Sequence, residues 1–244
     1  MTDEPYRWLE AIGNRREYVQ TQLKGGSPVF AASLPAGVVL LGVGTGHSKV
    51  FEIYDRHALA GLGHPADLER LRQSLIDAAH LEGFARAPED VGLRRLVGFG
   101  LGPQLKTAFE QIFSPPFLVR LLLAEVGPIP ARDVLVRVGY DGGYHLQHGG
   151  LLVAADDPAA EAGAEAWLVE RCAAEPAFQA SDPDAPRRFV ELALEAWWCL
   201  GHGRPPGSPE AHAGWRADLR GKSVEVGWLA RDARRAAYRP VSFP

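Results

Sequence analysis

The sequence predicts two β-sheets packed face to face with helices outside both. Short apolar runs of strand length cluster near residues 27–62 and again near 117–155. Each cluster is followed by segments whose apolar spacing changes to three and four. The resulting order is helix, strands, two helices, strands, two helices, strands, which suits a layered α+β body. No linker of domain-separating length and no internal repeat interrupts it. All 244 residues are therefore expected in one domain, with 1–24 as N-terminal tail and helix and 25–244 as the sandwich.

Residues 7–24 place Trp8, Leu9, Ile12, Tyr18, Val19 and Leu23 at helical spacing, and the Gly25-Gly26 pair ends the helix. Ser27–Leu34 and Val38–Val43 flank a Pro-Ala-Gly turn and read as a buried hairpin. Lys49–Tyr54 and His57–Leu62 read as a second strand pair. From Pro65, which suits a first helical turn, Leu68, Leu71, Leu75, Ala78 and Ala79 return to helical spacing. Another helix is expected after Ala87-Pro88-Glu89-Asp90, weakened in its middle by Gly98, Gly100, Gly102 and Pro103. Strands resume at Phe117–Ala124 and Val134–Val138, with Asp141-Gly142-Gly143 as a hairpin turn and Gly150–Ala155 as a further strand. Helices are predicted around Ala159–Ala173 and Arg187–Leu200, then a loop at Gly201–Pro209. Ser223–Ala230 and Ala236–Phe243 read as closing strands.

Composition narrows the function. Net charge is −4 and the basic residues are dispersed, which argues against a nucleic-acid partner. The opening MTDEPYRWLE lacks the apolar centre of a signal peptide. The runs Gly37–Val43 and Phe117–Ala124 are too short to span a bilayer, so no membrane partner is expected. Cys172 and Cys199 sit in no metal-ligand spacing and read as free buried thiols in a reducing, cytoplasmic setting. His145 and His148 lie three apart near a glycine-rich hairpin. No cysteine or carboxylate pair accompanies them, so neither a metal nor another cofactor is expected. Trp197-Trp198 is expected to pack in a core or against a subunit. Gly42-x-Gly44-x-Gly46 reads as a turn, because no Gly-Lys-Ser/Thr follows it.

Several stretches resemble the proteasome subunit family of the N-terminal-nucleophile hydrolase fold, a four-layer αββα sandwich. They begin with Lys24-Gly25-Gly26-Ser27-Pro28-Val29 and Gly37-Val38-Val39-Leu40. The most specific is Lys49–Arg56, followed by Ala60-Gly61-Leu62-Gly63 and Asp67-Leu68. Arg86-x-x-Glu89-Asp90-Val91, Ala124-Glu125-Val126-Gly127, Tyr140-Asp141-Gly142 and Val224-Glu225-Val226 complete the set. Their order is most similar to the bacterial α-type subunits. The chain departs from that pattern in its glycine-rich helix after Pro88 and in Ala154-Ala155-Asp156-Asp157, where the family usually has glycines.

The resemblance implies a non-catalytic subunit that assembles with itself in a ring, heptameric in the family. Implied partners are a β-type protease subunit and an ATPase or other activator ring. Catalytic relatives use an N-terminal threonine whose own α-amine takes its proton. Here Ser27 is the comparable hydroxyl, and 26 residues precede it. The family's supporting lysine has a counterpart in Lys49, but Gly42–Gly46 supplies no carboxylate to back it. By the same resemblance, Lys49 receives the C-terminal carboxylate of an activator tail, with Gly26 and His64 as neighbours. Trp8, Leu9, Ile12, Val19 and Leu23 are the expected ring and gate contacts. Two alternatives stay open: a self-processing serine amide hydrolase using Ser27, and an orphan ring that binds partners without a protease.

Overall fold

The computed structural model describes residues 4–178, 182–233 and 235–242. Helix α1 (Glu4–Leu23) leads into β1 (Val29–Leu34) and β2 (Gly37–Gly44), a hairpin turning at Pro35-Ala36. The hairpin of β3 (Val50–Tyr54) and β4 (His57–Gly63) follows, then α2 (Pro65–Ala85). A short α3 (Leu93–Arg95) widens into a π turn at Leu96–Leu101 before α4 (Gly102–Glu110). The widening falls on Gly98 and Gly100, where the sequence already weakened the helix.

The strands β5 (Val119–Glu125), β6 (Val134–Val138), β7 (Tyr144–His148) and β8 (Leu151–Ala154) come next. Helices α5 (Pro158–Ala174) and α6 (Ala185–Gly201) match the predicted pair. Helix α7 (Ala211–Asp218) precedes β9 (Ser223–Ala230) and β10 (Tyr238–Val241). The expected last strand reached Phe243, which lies outside the described residues.

Two antiparallel five-stranded sheets, ordered β10-β9-β2-β1-β8 and β3-β4-β5-β6-β7, form the middle layers. Their strands are apolar on both faces because both faces are covered. Along β1, Phe30 faces the outer helices α5 and α6, while Ala31 faces the other sheet. Along β5, Leu123 turns to α2 and α4, and Leu122 turns inward. Three apolar layers thus separate four structural layers, helix–sheet–sheet–helix, as the resemblance implied.

Two buried ionic groups tie loops to this frame. Asp133 is fully buried; it accepts the Gly127 N–H at 2.7 Å and the two terminal guanidinium nitrogens of Arg231 at 2.6 and 2.8 Å. Arg231 also donates to the carbonyls of Leu34, Pro35 and Gly127, closing the loops at one end of the sandwich. Glu161 of α5 meets Arg120 of β5 and Arg137 of β6, each at 2.9 Å.

Three expectations need correction. Val19 and Leu23 are buried in the inter-sheet core of this same chain and are not surface for a neighbour, because the C-terminal half of α1 covers one end of the sandwich. Trp8 and Leu9 remain exposed and Ile12 is half-buried. Cys172 is half-buried, while Cys199 is buried as expected. Helix α7 was not foreseen. It packs closely on α6, and a Cβ on Gly214 would stand 2.6 Å from the Trp198 ring. Glycine permits that approach and also hides the helix from propensity.

Candidate functional site

A cleft of 850 Å³ opens at one end of the sandwich, lined by Gly25, Gly26, Ser27, Lys49, His64, Trp197, Trp198 and Lys222, among others. The end of α1, the approach to β1, the end of β2, the approach to β3, the N-terminus of α2 and the C-terminus of α6 build its walls.

The α1–β1 turn shapes one lip. Gly25 has φ of +75°, a left-handed conformation that glycine adopts without strain. Its N–H donates to Asp156 at 2.6 Å, so this carboxylate fastens the turn. A Cβ on Gly26 would lie 2.8 Å from the Leu23 carbonyl oxygen, so no side chain fits there.

Lys49 enters from the approach to β3 and lies across β2. Cβ atoms on Gly42 and Gly44 would stand 3.0 Å from the lysine Cβ and 3.6 Å from its Cδ and Cε. The two glycines belong to β2, not to the turn read from the sequence. They form a trough for the lysine stem; only Gly46, with φ of +83°, lies in the turn. The Lys49 ammonium donates to the Ser27 carbonyl at 2.9 Å. Burial pushes it down to about 8, and the charge of Glu225 acts in the opposite sense. Glu225 Oε2 accepts the backbone N–H groups of Lys49 at 2.9 Å and Val50 at 3.2 Å, which fixes the strand entry.

Ser27 is engaged on both sides. Its hydroxyl donates to the Val43 carbonyl at 2.7 Å and accepts the Trp197 indole N–H at 2.9 Å. The nearby amine of Lys49 is turned to the serine's carbonyl instead of its hydroxyl. A general base needs hydrogen-bond reach to the proton it removes, and here that proton already has an acceptor. His64 caps α2 through its Nδ1, which accepts the Ala66 N–H at 3.3 Å, and sits exposed at the cleft rim.

No protein-family model matches the chain. Over 146 residues it is 30% identical to the proteasome subunit alpha of Streptomyces avermitilis, a stretch covering 59% of this chain and 57% of that relative. It is 33% identical over 135 residues to the proteasome subunit alpha of Actinosynnema mirum, covering 54% and 51%. For the same subunit of Jonesia denitrificans the figures are 30% over 157 residues, 63% and 65%. The chain resembles bacterial proteasome α subunits. The match spans little more than half the length of the Streptomyces and Actinosynnema relatives.

The fold brings Gly26, Ser27, Lys49 and His64, which the family resemblance had singled out, to the lining of one cleft. Sequence reasoning missed Trp197, Lys222, Asp156 and Glu225. Trp197 does pack in the core beneath β1 and β2, but its indole N–H also reaches the cleft floor. The pair His145 and His148 lies along β7. Residues three apart on a strand point to opposite faces, so one metal ion could not take both from that strand. Among the described residues no helix is long and apolar enough to cross a membrane.

Proposed function

We propose that this chain is a non-catalytic, ring-forming α-type subunit of a bacterial proteasome-like particle, which controls substrate entry and docks an activator. The observation that carries this reading is the state of Ser27. It is an internal residue behind a formed helix, its hydroxyl is held between Val43 and Trp197, and the lysine amine faces its carbonyl. A hydrolase of this kind needs a free α-amine beside the nucleophile. The similarity to proteasome α subunits supports the same conclusion.

In this reading Trp8, Leu9 and Ile12 lie where a neighbouring copy or the pore would be met. Lys49, with Gly26 and His64, receives the carboxylate of an activator tail. The amine suits that role because its partner within the chain is a neutral carbonyl. A β-type subunit would supply the peptidase, in an intracellular degradation particle.

The test is intact mass and peptidase activity of the purified chain, alone and with a β-type partner. The expected outcome is a chain that keeps residues 2–244. It should lack peptidase activity alone, and the activity gained with the partner should be unchanged by Ser27→Ala. Loss of residues 1–26 together with activity abolished by Ser27→Ala would overturn the assignment in favour of a self-processing hydrolase.

A further inference from the structure

The cleft holds a second ammonium group. Lys222, from the turn between α7 and β9, places its Nζ 4.8 Å from the centre of the Trp197 ring. Trp197 donates to Ser27 Oγ, and the carbonyl of the same serine holds Lys49 Nζ. Two ammonium groups therefore flank one serine–tryptophan contact. Their contacts are an indole face and a neutral carbonyl, and neither pairs with a carboxylate among the described residues.

The carboxylates nearby have other partners. Asp156 takes the Gly25 N–H, and Asp218 faces His202 Nε2 at 3.2 Å. Glu225 serves the backbone of Lys49 and Val50. Lys24 also lines the cleft. Each of these carboxylates is already engaged, which leaves the Lys49 and Lys222 ammonium groups without a carboxylate partner among the described residues and open to an anion from outside the chain.

One carboxylate satisfies one of the two flanking ammonium groups and leaves the other facing an indole. We propose that the cleft takes a peptide terminus bearing two carboxylates, a C-terminal aspartate or glutamate, with its α-carboxylate on Lys49 and its side-chain carboxylate on Lys222. The proposal rests on the reading of this cleft as a tail-docking site and adds the identity of the last residue. Lys49 is held in its trough and fixes the position of the terminus. Lys222 is exposed on a flexible stem and adjusts to the side chain. The indole of Trp197, beneath Lys222, offers an apolar face beside that ammonium.

The test uses the full chain and labelled peptides of one sequence that end in glutamate, glutamine, leucine or leucine amide, with binding read by fluorescence anisotropy at low salt. The glutamate ending should bind about two- to fivefold tighter than the glutamine ending, the scale of one partly exposed charge pair. Lys222→Met should bring that ratio to one, and added salt should lower it. Equal affinity for glutamate and glutamine endings, or a glutamate advantage that survives Lys222→Met, overturns the proposal. The docking reading stands through that result as long as the leucine acid binds better than its amide. If acid and amide bind alike, tail docking falls and this proposal falls with it.

Discussion

Burial lowers the Lys49 ammonium to about 8, with Glu225 pulling the other way, and the sign of that shift has two measurable effects. Between about pH 8 and the ordinary lysine range the unfolded chain holds a proton that the folded chain has released. Stability contributed at this site therefore rises with pH across that window. At pH 7 the folded chain carries the full cost of a buried charge. Lys49→Met should raise unfolding stability by about 1–3 kcal/mol at pH 7, and the gain should shrink toward pH 10, as read from denaturant midpoints. The same substitution should abolish binding of a carboxylate-ended tail. For the natural chain, tail affinity should fall as pH passes from 7 to 9, because the neutral amine offers no charge. A Lys49→Met chain that is destabilised at pH 7 would show that the buried ammonium stabilises the fold instead of burdening it.

At the scale of elements, the joint between β5 and α3 turns on Glu125. Its Oε2 accepts the Leu93 N–H at 2.8 Å, which caps the first turn of α3, and it faces His57 Nε2 at 3.5 Å. Burial alone would raise this carboxyl; His57, the Leu93 N–H and Arg56 outweigh it, and the net shift is downward. A depressed carboxyl contributes stability above its unfolded value and loses it as pH falls through the folded one. Glu125→Ala should cost about 1–2 kcal/mol and speed hydrogen exchange through Leu93–Glu110 before other helices respond. Local signals of this kind explain what the sequence made legible. The strands carry continuous apolar runs, and α2, α5 and α6 have clear helical spacing. The π turn follows from Gly98 and Gly100. Helix α7 escaped because it has only eight residues, with glycine in the middle. In the cleft, Lys49 was singled out only through the resemblance of its stretch to the family, whereas Trp197 meets Ser27 across 170 residues and Glu225 meets Lys49 across 176. No spacing rule reports contacts of that range.

For the whole molecule, the Asp133–Arg231 pair joins the β1–β2 turn, the loop after β5 and the loop after β9 at the end that carries this pair. Removing one member leaves the other charge buried, so Arg231→Met or Asp133→Ala should destabilise the chain by about 3–5 kcal/mol. Replacing both should cost less than the sum. Assembly depends on a different region. Trp8 is 45% and Leu9 59% exposed while Val19 and Leu23 anchor the C-terminal half of α1, so Trp8→Ser with Leu9→Ser should leave the unfolding midpoint within about 0.5 kcal/mol and shift elution toward a smaller species. Unchanged elution at micromolar concentration would remove this segment from the interface. The edges of the sheets limit how copies can join. β10 carries Pro240, which lacks an N–H, and β8 has four residues. β3 has an irregular register at Glu52 to Tyr54, and β7 presents histidines and a glutamine. Each edge is thus poor at accepting another strand. Copies crowded together at high concentration should meet through side chains and helices and stay dissociable, because the backbone offers little template for fibre growth.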